Sequence, residues 1–559
     1  DMSYMFSGCI NIVSLNLSNF STIKVINMEG MFKDCYNLED LYISNFVTFQ
    51  VVSMKDLFAN CFKLKSIDLN NFNTSEVINM ESMFKDCSSL ESLELLNFNT
   101  SKLINMDSMF DGCSSIKLLN ISNFDTSKVT NMKNLFKKCK LLTSIYLENN
   151  FNTSKVENMM NMFSDCNSLI TLDNLNLDTS KVTNMESMFS GCEKLSSLNL
   201  ENFITNNVVN MNSMFMGCLS LTSLDISNFD TSNVTNVENM FSDCWLLYHL
   251  DLTNFNLTLI NSMEYIFGNC KSLTKIKLPI IINPKVISLS HMFLECSSLK
   301  SVDLSDLDTS SVIYMDYMFS GCNALKSLNL INFNTNNVIY MNFMFSECIS
   351  LTTLDLSKFN TTSVRFMSGM FYGASSIKYL NLSNFNTELT EDMSFMFYKL
   401  KSLTSLYISN FNTANVEYMN YMFDGCESLT SIDILNFDTS KVESLDGMFS
   451  NCLNLKILNL SNFNTDNIIS MDNLFSNCKS LISIDLSKFN TSQTTSMYKM
   501  FSGCNSLQNL DISHFDTSSV TTMAYLFNNC SNLKQINLNN FNTSLVNNMN
   551  YMFGECQKL

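Results

Sequence analysis

Cysteine fixes the frame of this chain. All 20 cysteines fall on one lattice, running Cys9, Cys35, Cys61, Cys87, Cys113 and onward to Cys556 in steps of 26 residues. The single longer step, 27 residues from Cys139 to Cys166, takes its extra residue within 147–151. Two lattice points carry Ala374 and Leu400 instead, so the chain has 22 points. One short period held over 559 residues excludes a string of unrelated domains and predicts a stack of equivalent coils.

With Cys as position 1, the unit reads C-x-S-L-x-S-L-D-L-S-N-F-D-T-S-K-V-x-N-M-x-S-M-F-x-x, well shown by 218–241. Phe stands at position 24 of all 22 points, and position 12 adds 18 more, which accounts for 40 of the 45. Leu221, Leu224 and Ile226 follow L-x-x-L-x-L, and the alternation at its end predicts a short strand. The Asn-Phe-Asp-Thr-Ser cluster that follows predicts a turn, with Thr at position 14, such as Thr205, as a cap. Val208, Met211, Met214 and Phe215 recur every three or four residues, which predicts one or two helical turns with a single buried stripe. No unit can bury a core alone, whereas stacked units place each Leu, Phe, Met and Cys over its counterpart.

The L-x-x-L-x-L frame followed by N-F-D-T-S-x-V-x-N-M-x-x-M-F-x-x-C resembles the BspA-type leucine-rich repeat of bacterial and protist surface proteins, over essentially the whole chain. The resemblance implies a leucine-rich-repeat solenoid with a parallel β-strand ladder on one side and short helical turns on the other. About 21 tandem repeats would make residues 1–559 a single continuous solenoid, complete or an excerpt of a longer chain. It implies an extracellular or cell-surface protein without catalysis, used in adhesion, partner binding or self-assembly; an intracellular structural scaffold is the alternative. In one respect the chain departs from ordinary leucine-rich repeats. Phe124 and its counterparts occupy the place of the ladder Asn, so the usual asparagine ladder is not expected.

Charge narrows the partners. With 52 acidic and 34 basic side chains the net charge is −18, which argues against nucleic acid and against an anionic membrane surface. Polar residues interrupt every apolar run before it could span a bilayer, so protein or cell-surface partners, or a second copy joined end to end or side by side, are expected. Chemistry needs a unique constellation, and this chain offers ladders. His249, His291 and His514 lie far apart and are expected on solvated surface, and no phosphate loop, catalytic triad or zinc spacing occurs. No enzyme activity, cofactor or metal is therefore expected. Aspartates at position 8, such as Asp225 and Asp251 or Asp485 and Asp511, read as a solvated acidic face. The cysteines are open to two readings, a ladder of buried thiols or disulfides between alternate pairs of rungs. Sequons such as Asn73-Thr74-Ser75 arise from the repeat itself.

Binding sites on a repeat stack arise where rungs differ. Positions 19 and 22 are small and polar early in the chain but become aromatic between 314 and 421. Tyr314, Tyr317, Tyr340, Phe343, Phe366, Phe395, Tyr418 and Tyr421, with Tyr398 beside them, form the candidate partner-binding strip, about five rungs long. A second irregularity, 245–289, holds the only Trp and both prolines, Pro279 and Pro284, and a bend is expected there.

Overall fold

In the computed structural model, which describes residues 1–147, 151–172, 176–281 and 283–559, every repeat closes one coil of a leucine-rich-repeat solenoid. The coils group into two compact units, Asp1–Asn283 and Pro284–Leu559. Their boundary falls inside the irregular segment with the two prolines.

Strands form where the sequence alternates, at positions 6 to 8. The first unit has β1 (Ser14–Asn16), β2 (Asp40–Tyr42), β3 (Leu118–Asn120), β4 (Ser144–Tyr146), β5 (His249–Asp251) and β6 (Lys275–Lys277). The second has β7 (Ser327–Leu328), β8 (Thr353–Leu354), β9 (Tyr379–Asn381) and β10 (Ser405–Tyr407). They pair in parallel as β1·β2, β3·β4, β5·β6, β7·β8 and β9·β10, each residue opposite the one a repeat later, as Leu15 is opposite Leu41. In the three-residue strands the central Leu or Ile points inward and its neighbours outward, as in β2 and β9. Register steps by 26 at Leu119↔Ile145 and by 27 at Asn131↔Asn158, so the extra residue is absorbed between these pairs. Residues 148–150 of the segment to which it was assigned lie outside those described.

The back of the coil departs from the expectation of short helical turns, since no helix occurs among the described residues. Positions 22 and 26 carry positive φ in every repeat, for instance Asn239 at 56° and Asp243 at 59°. Left-handed residues four apart stop a right-handed helix before its first turn closes. Backbone N–H groups instead alternate between two kinds of acceptor. Met31, Lys33 and Cys35 donate three residues back, to Met28, Gly30 and Phe32, which closes tight turns. Gly30, Phe32 and Asp34 donate to Lys55, Leu57 and Ala59 of the next coil at 2.8–3.0 Å. A helix would spend all these donors on its own coil; the stack spends half on its neighbour.

The core repeats at every rung. The position 24 rings stack, Phe84 on Phe110 at 5.9 Å and 4°, and both are fully buried. No disulfide occurs among the described residues. Thiols along the stack instead donate to the Phe carbonyl of the preceding coil, as Cys113 Sγ does to Phe84 O at 3.2 Å. Burial pushes the thiols up, Cys35 to about 11 and Cys87 to about 12. Ala374 and Leu400 fill the same slot fully buried, which shows that the slot requires an apolar group and not sulfur.

Two polar ladders take the place of the missing asparagine ladder. The position 14 threonines are about 1% exposed. Thr231 Oγ1 donates to Asn256 O at 3.0 Å and accepts from Asn256 N at 2.7 Å, both in the next coil. Thr205 therefore acts between coils and does not cap a helix. Asn283 substitutes at this position, its Nδ2 donating to Leu257 O and Ile260 O at 2.8 Å. Asparagine at position 11, one place before the Phe, reaches the previous coil, as Asn97 Nδ2 reaches Leu69 O at 2.9 Å. His514 stands in that column and does the same, with Nε2 3.0 Å from Leu486 O, while the residue stays exposed as expected.

Candidate partner-binding site

Position 19 is a bridge position in both units, for example Asn79↔Asn105 and Tyr314↔Tyr340. Bridged parallel neighbours lie about 4.8 Å apart, so aromatic rings placed there in register must stack. They do. Tyr314 lies on Tyr340 at 5.0 Å and 14°, and Tyr340 on Phe366 at 5.1 Å and 8°. Asp392 interrupts this column, its carboxylate accepting from the N–H and hydroxyl of Ser394, and Tyr418 stands beyond the interruption.

Position 22 carries the second column. His291, Tyr317 and Phe343 stack in sequence at 4.9 Å per step, and Phe395 lies on Tyr421 at 5.3 Å. Between them stands Gly369, where a Cβ would come within 2.2 Å of the Phe343 ring, so Phe343 leans over the space that glycine leaves. Tyr372, which the sequence reading did not single out, bridges the gap at 6.0 Å from Phe343 and 6.4 Å from Phe395. It also stacks on Tyr398 at 4.6 Å. Eight of the nine expected strip residues fall in two adjacent columns, Tyr418 apart from the stacked rings, and Tyr398 flanks them at position 25 beside Tyr372.

Tyr314 (39%) and Tyr418 (55%) are exposed and the other strip residues half-buried, so the stacked rings turn edges rather than faces to solvent. Burial pushes the phenols of Tyr317 and Tyr421 up, which keeps them neutral. His291, expected on solvated surface, is half-buried beneath Tyr317, and desolvation lowers it to about 4. Tyr317, Phe343, Phe395 and Tyr421 all have φ of 53–58°, a conformation that costs a bulky L-residue about 1–2 kcal/mol. Tyr4, Tyr265, Tyr525 and Tyr551 share that position, but only within 314–421 is the neighbouring column aromatic as well.

Elsewhere the polar side chains are occupied with their own backbone. Asp225 and Asp511 of position 8 accept from the N–H two residues on, which lowers both carboxyls. No group of three or more His, Cys, Asp or Glu suited to a metal occurs among the described residues. Nor is any helix there long and apolar enough to cross a membrane.

A family profile described as "Mycoplasma protein of unknown function, DUF285" matches residues 1–118, 90–177, 170–278, 287–379, 376–483 and 447–559. Solved structures with similarity include a leucine-rich repeat protein from Bacteroides ovatus, at 18% identity and a TM-score of 0.31, over 73% of this chain and 86% of that one. A leucine-rich cell surface protein from Faecalibacterium prausnitzii is 18% identical over 55% of this chain and 83% of its own, with a TM-score of 0.24. A leucine-rich repeat protein from Leptospira interrogans is 16% identical over 68% and 91%, with a TM-score of 0.19. A search of curated proteins finds no match.

Proposed function

Starting from the DUF285 family, to which the chain belongs, we propose a non-catalytic repeat scaffold, displayed on the cell surface or outside the cell, that binds a protein partner or a second copy of itself through the aromatic strip. One observation carries this reading: within 314–421 two adjacent ring columns remain partly exposed, whereas elsewhere position 19 is small and polar and the paired column is missing. Repetition suits adhesion, because identical rungs offer multivalent contact on one rigid support. The location rests on the resemblance of the repeat to surface-protein repeats.

An intracellular scaffold is the second reading. It is favoured by the cysteine column, since secreted chains seldom hold so many cysteines without disulfides. Protease added to intact producing cells separates the two. A displayed chain is cut; a chain that survives until lysis belongs inside. Beads coated with the double variant Tyr314→Ser and Tyr340→Ser should lose self-association and adhesion to cultured cells, with thermal unfolding unchanged. Undiminished adhesion removes the strip from the reading.

A further inference from the structure

The chain contains one arginine, and it lies in the strip. Arg365 occupies position 18, beside Phe366, and its Nη1 donates to Glu391 Oε1 at 2.9 Å. Position 18 of the next two coils holds Glu417 and Glu443. Glu417 N donates to Glu391 O at 2.8 Å, so these carboxylates follow one another at the ladder spacing of about 4.8 Å. Among the described residues neither has an ion-pair partner. The column therefore pairs its first glutamate internally and leaves two without a cation.

Tyr418 stands beside them, more than half exposed, and among the described residues no ring packs on its face. Its counterpart one coil later is Ser444. That drop in size opens a depression whose lining includes Glu417, Tyr418, Asn420, Lys441, Glu443 and Ser444. Two donors of the lining are already engaged: Lys441 Nζ with Asn415 Oδ1 at 2.7 Å, and Asn467 Nδ2 with Ser440 O at 2.8 Å. Among the described residues the two carboxylates remain without a cation. Besides the two carboxylates, the buried Oδ1 of Asn420 has no hydrogen-bond partner among the described residues.

An open aromatic face beside three unused acceptors matches one side chain best. Guanidinium is planar, delocalised and weakly hydrated, carries five donors and no acceptor, and stacks on aromatic rings. An ammonium is a compact point charge, and a neutral sugar would leave both carboxylates without a cation. We infer that this depression binds an arginine side chain of a basic protein partner, with the guanidinium stacked on Tyr418 and paired with Glu417 and Glu443. It repeats between molecules what Arg365 and Glu391 do within one. The net charge of −18 draws a basic partner toward this face. The inference rests on the partner-binding reading and gives the partner its chemistry.

Fluorescence anisotropy of labelled hexa-arginine and hexa-lysine peptides, titrated with the full chain at low salt, tests it. Hexa-arginine should bind more tightly than hexa-lysine. Glu417→Gln with Glu443→Gln should weaken its binding about tenfold, equivalent to about 1.4 kcal/mol. Tyr418→Leu should abolish the preference for arginine. The same change of charge elsewhere, Glu91→Gln with Glu94→Gln, should leave affinity unchanged. Equal binding of the two peptides overturns the inference, as does equal loss in the distant pair, which would mean diffuse attraction. Binding of a neutral oligosaccharide that disappears with Tyr418→Leu overturns it in favour of a sugar subsite. Thermal unfolding of each variant separates lost binding from lost fold. The Tyr314→Ser, Tyr340→Ser chain should keep full peptide affinity, so failure of the strip and failure of the depression remain distinguishable.

Discussion

A single side chain counts here according to what it offers the coil beside its own. Thr231 offers a hydroxyl that serves as both donor and acceptor to Asn256. Thr231→Val keeps the volume but leaves the N–H and carbonyl of Asn256 without their partner, which should cost about 1 kcal/mol. Thr231→Ser should cost much less, and equal denaturant midpoints for the two variants would contradict the ladder. Asp111 shows the opposite case. It occupies position 25, where Ser164 and Ser190 stand in other repeats, and burial raises its carboxyl to about 6. Lys85 Nζ, 3.9 Å away, does not offset this. A folded-state value above the unfolded one means that stability is fully present below about pH 4 and lost as pH rises through 6. Asp111→Ser should therefore stabilise the chain at pH 7 by ~1 kcal/mol, allowing for its partial exposure. At pH 4 the thermal midpoint should not move; an equal gain at both values would show that ionisation is not the cause.

At the scale of the element, period decided more than propensity. The stack, the strand at L-x-L and the inward Phe, Met and Cys were legible because each is a repeat property. The back turns were misread because Val208, Met211, Met214 and Phe215 have helical spacing. The competing signal lay four residues apart, at positions 22 and 26, where Gly, Asn, Asp and Ser gather to accept positive φ. Lys138 accepts it without such help, at 58°. Lys138→Gly should raise stability by up to ~1 kcal/mol, the relief of backbone strain exceeding the entropic cost of glycine. In the adjacent coil Gly112→Ala should destabilise, because a Cβ there meets Asp86 Oδ1 at 2.2 Å. A lower melting temperature for Lys138→Gly would argue against the left-handed turn. The aromatic strip was legible because it breaks the repeat. Tyr372 stands at position 25, as Tyr398 does, outside the two columns that the aromatic break defines, and the carboxylate column escaped notice because glutamate is ordinary on any surface. Its only signal was the single arginine that precedes it.

Over the whole molecule, the 20 thiols report how completely the coils close. Only Cys9 and Cys556 are half-exposed; the rest are buried. In native protein a maleimide should reach those two alone, and in denaturant without reductant all 20 should react. A shortfall in denaturant would reveal disulfides. The hydrogen bonds between neighbouring coils carry a further implication, since what Gly30 gives to Lys55, Asp56 gives to Glu81. Seams within a unit that share this pattern are thus interchangeable. A gene segment encoding one copy can be duplicated or lost in frame, and the newly joined edges still find matching partners. Such a lineage can adjust how far its surface extends by ~4.8 Å per duplication, without reinventing any contact.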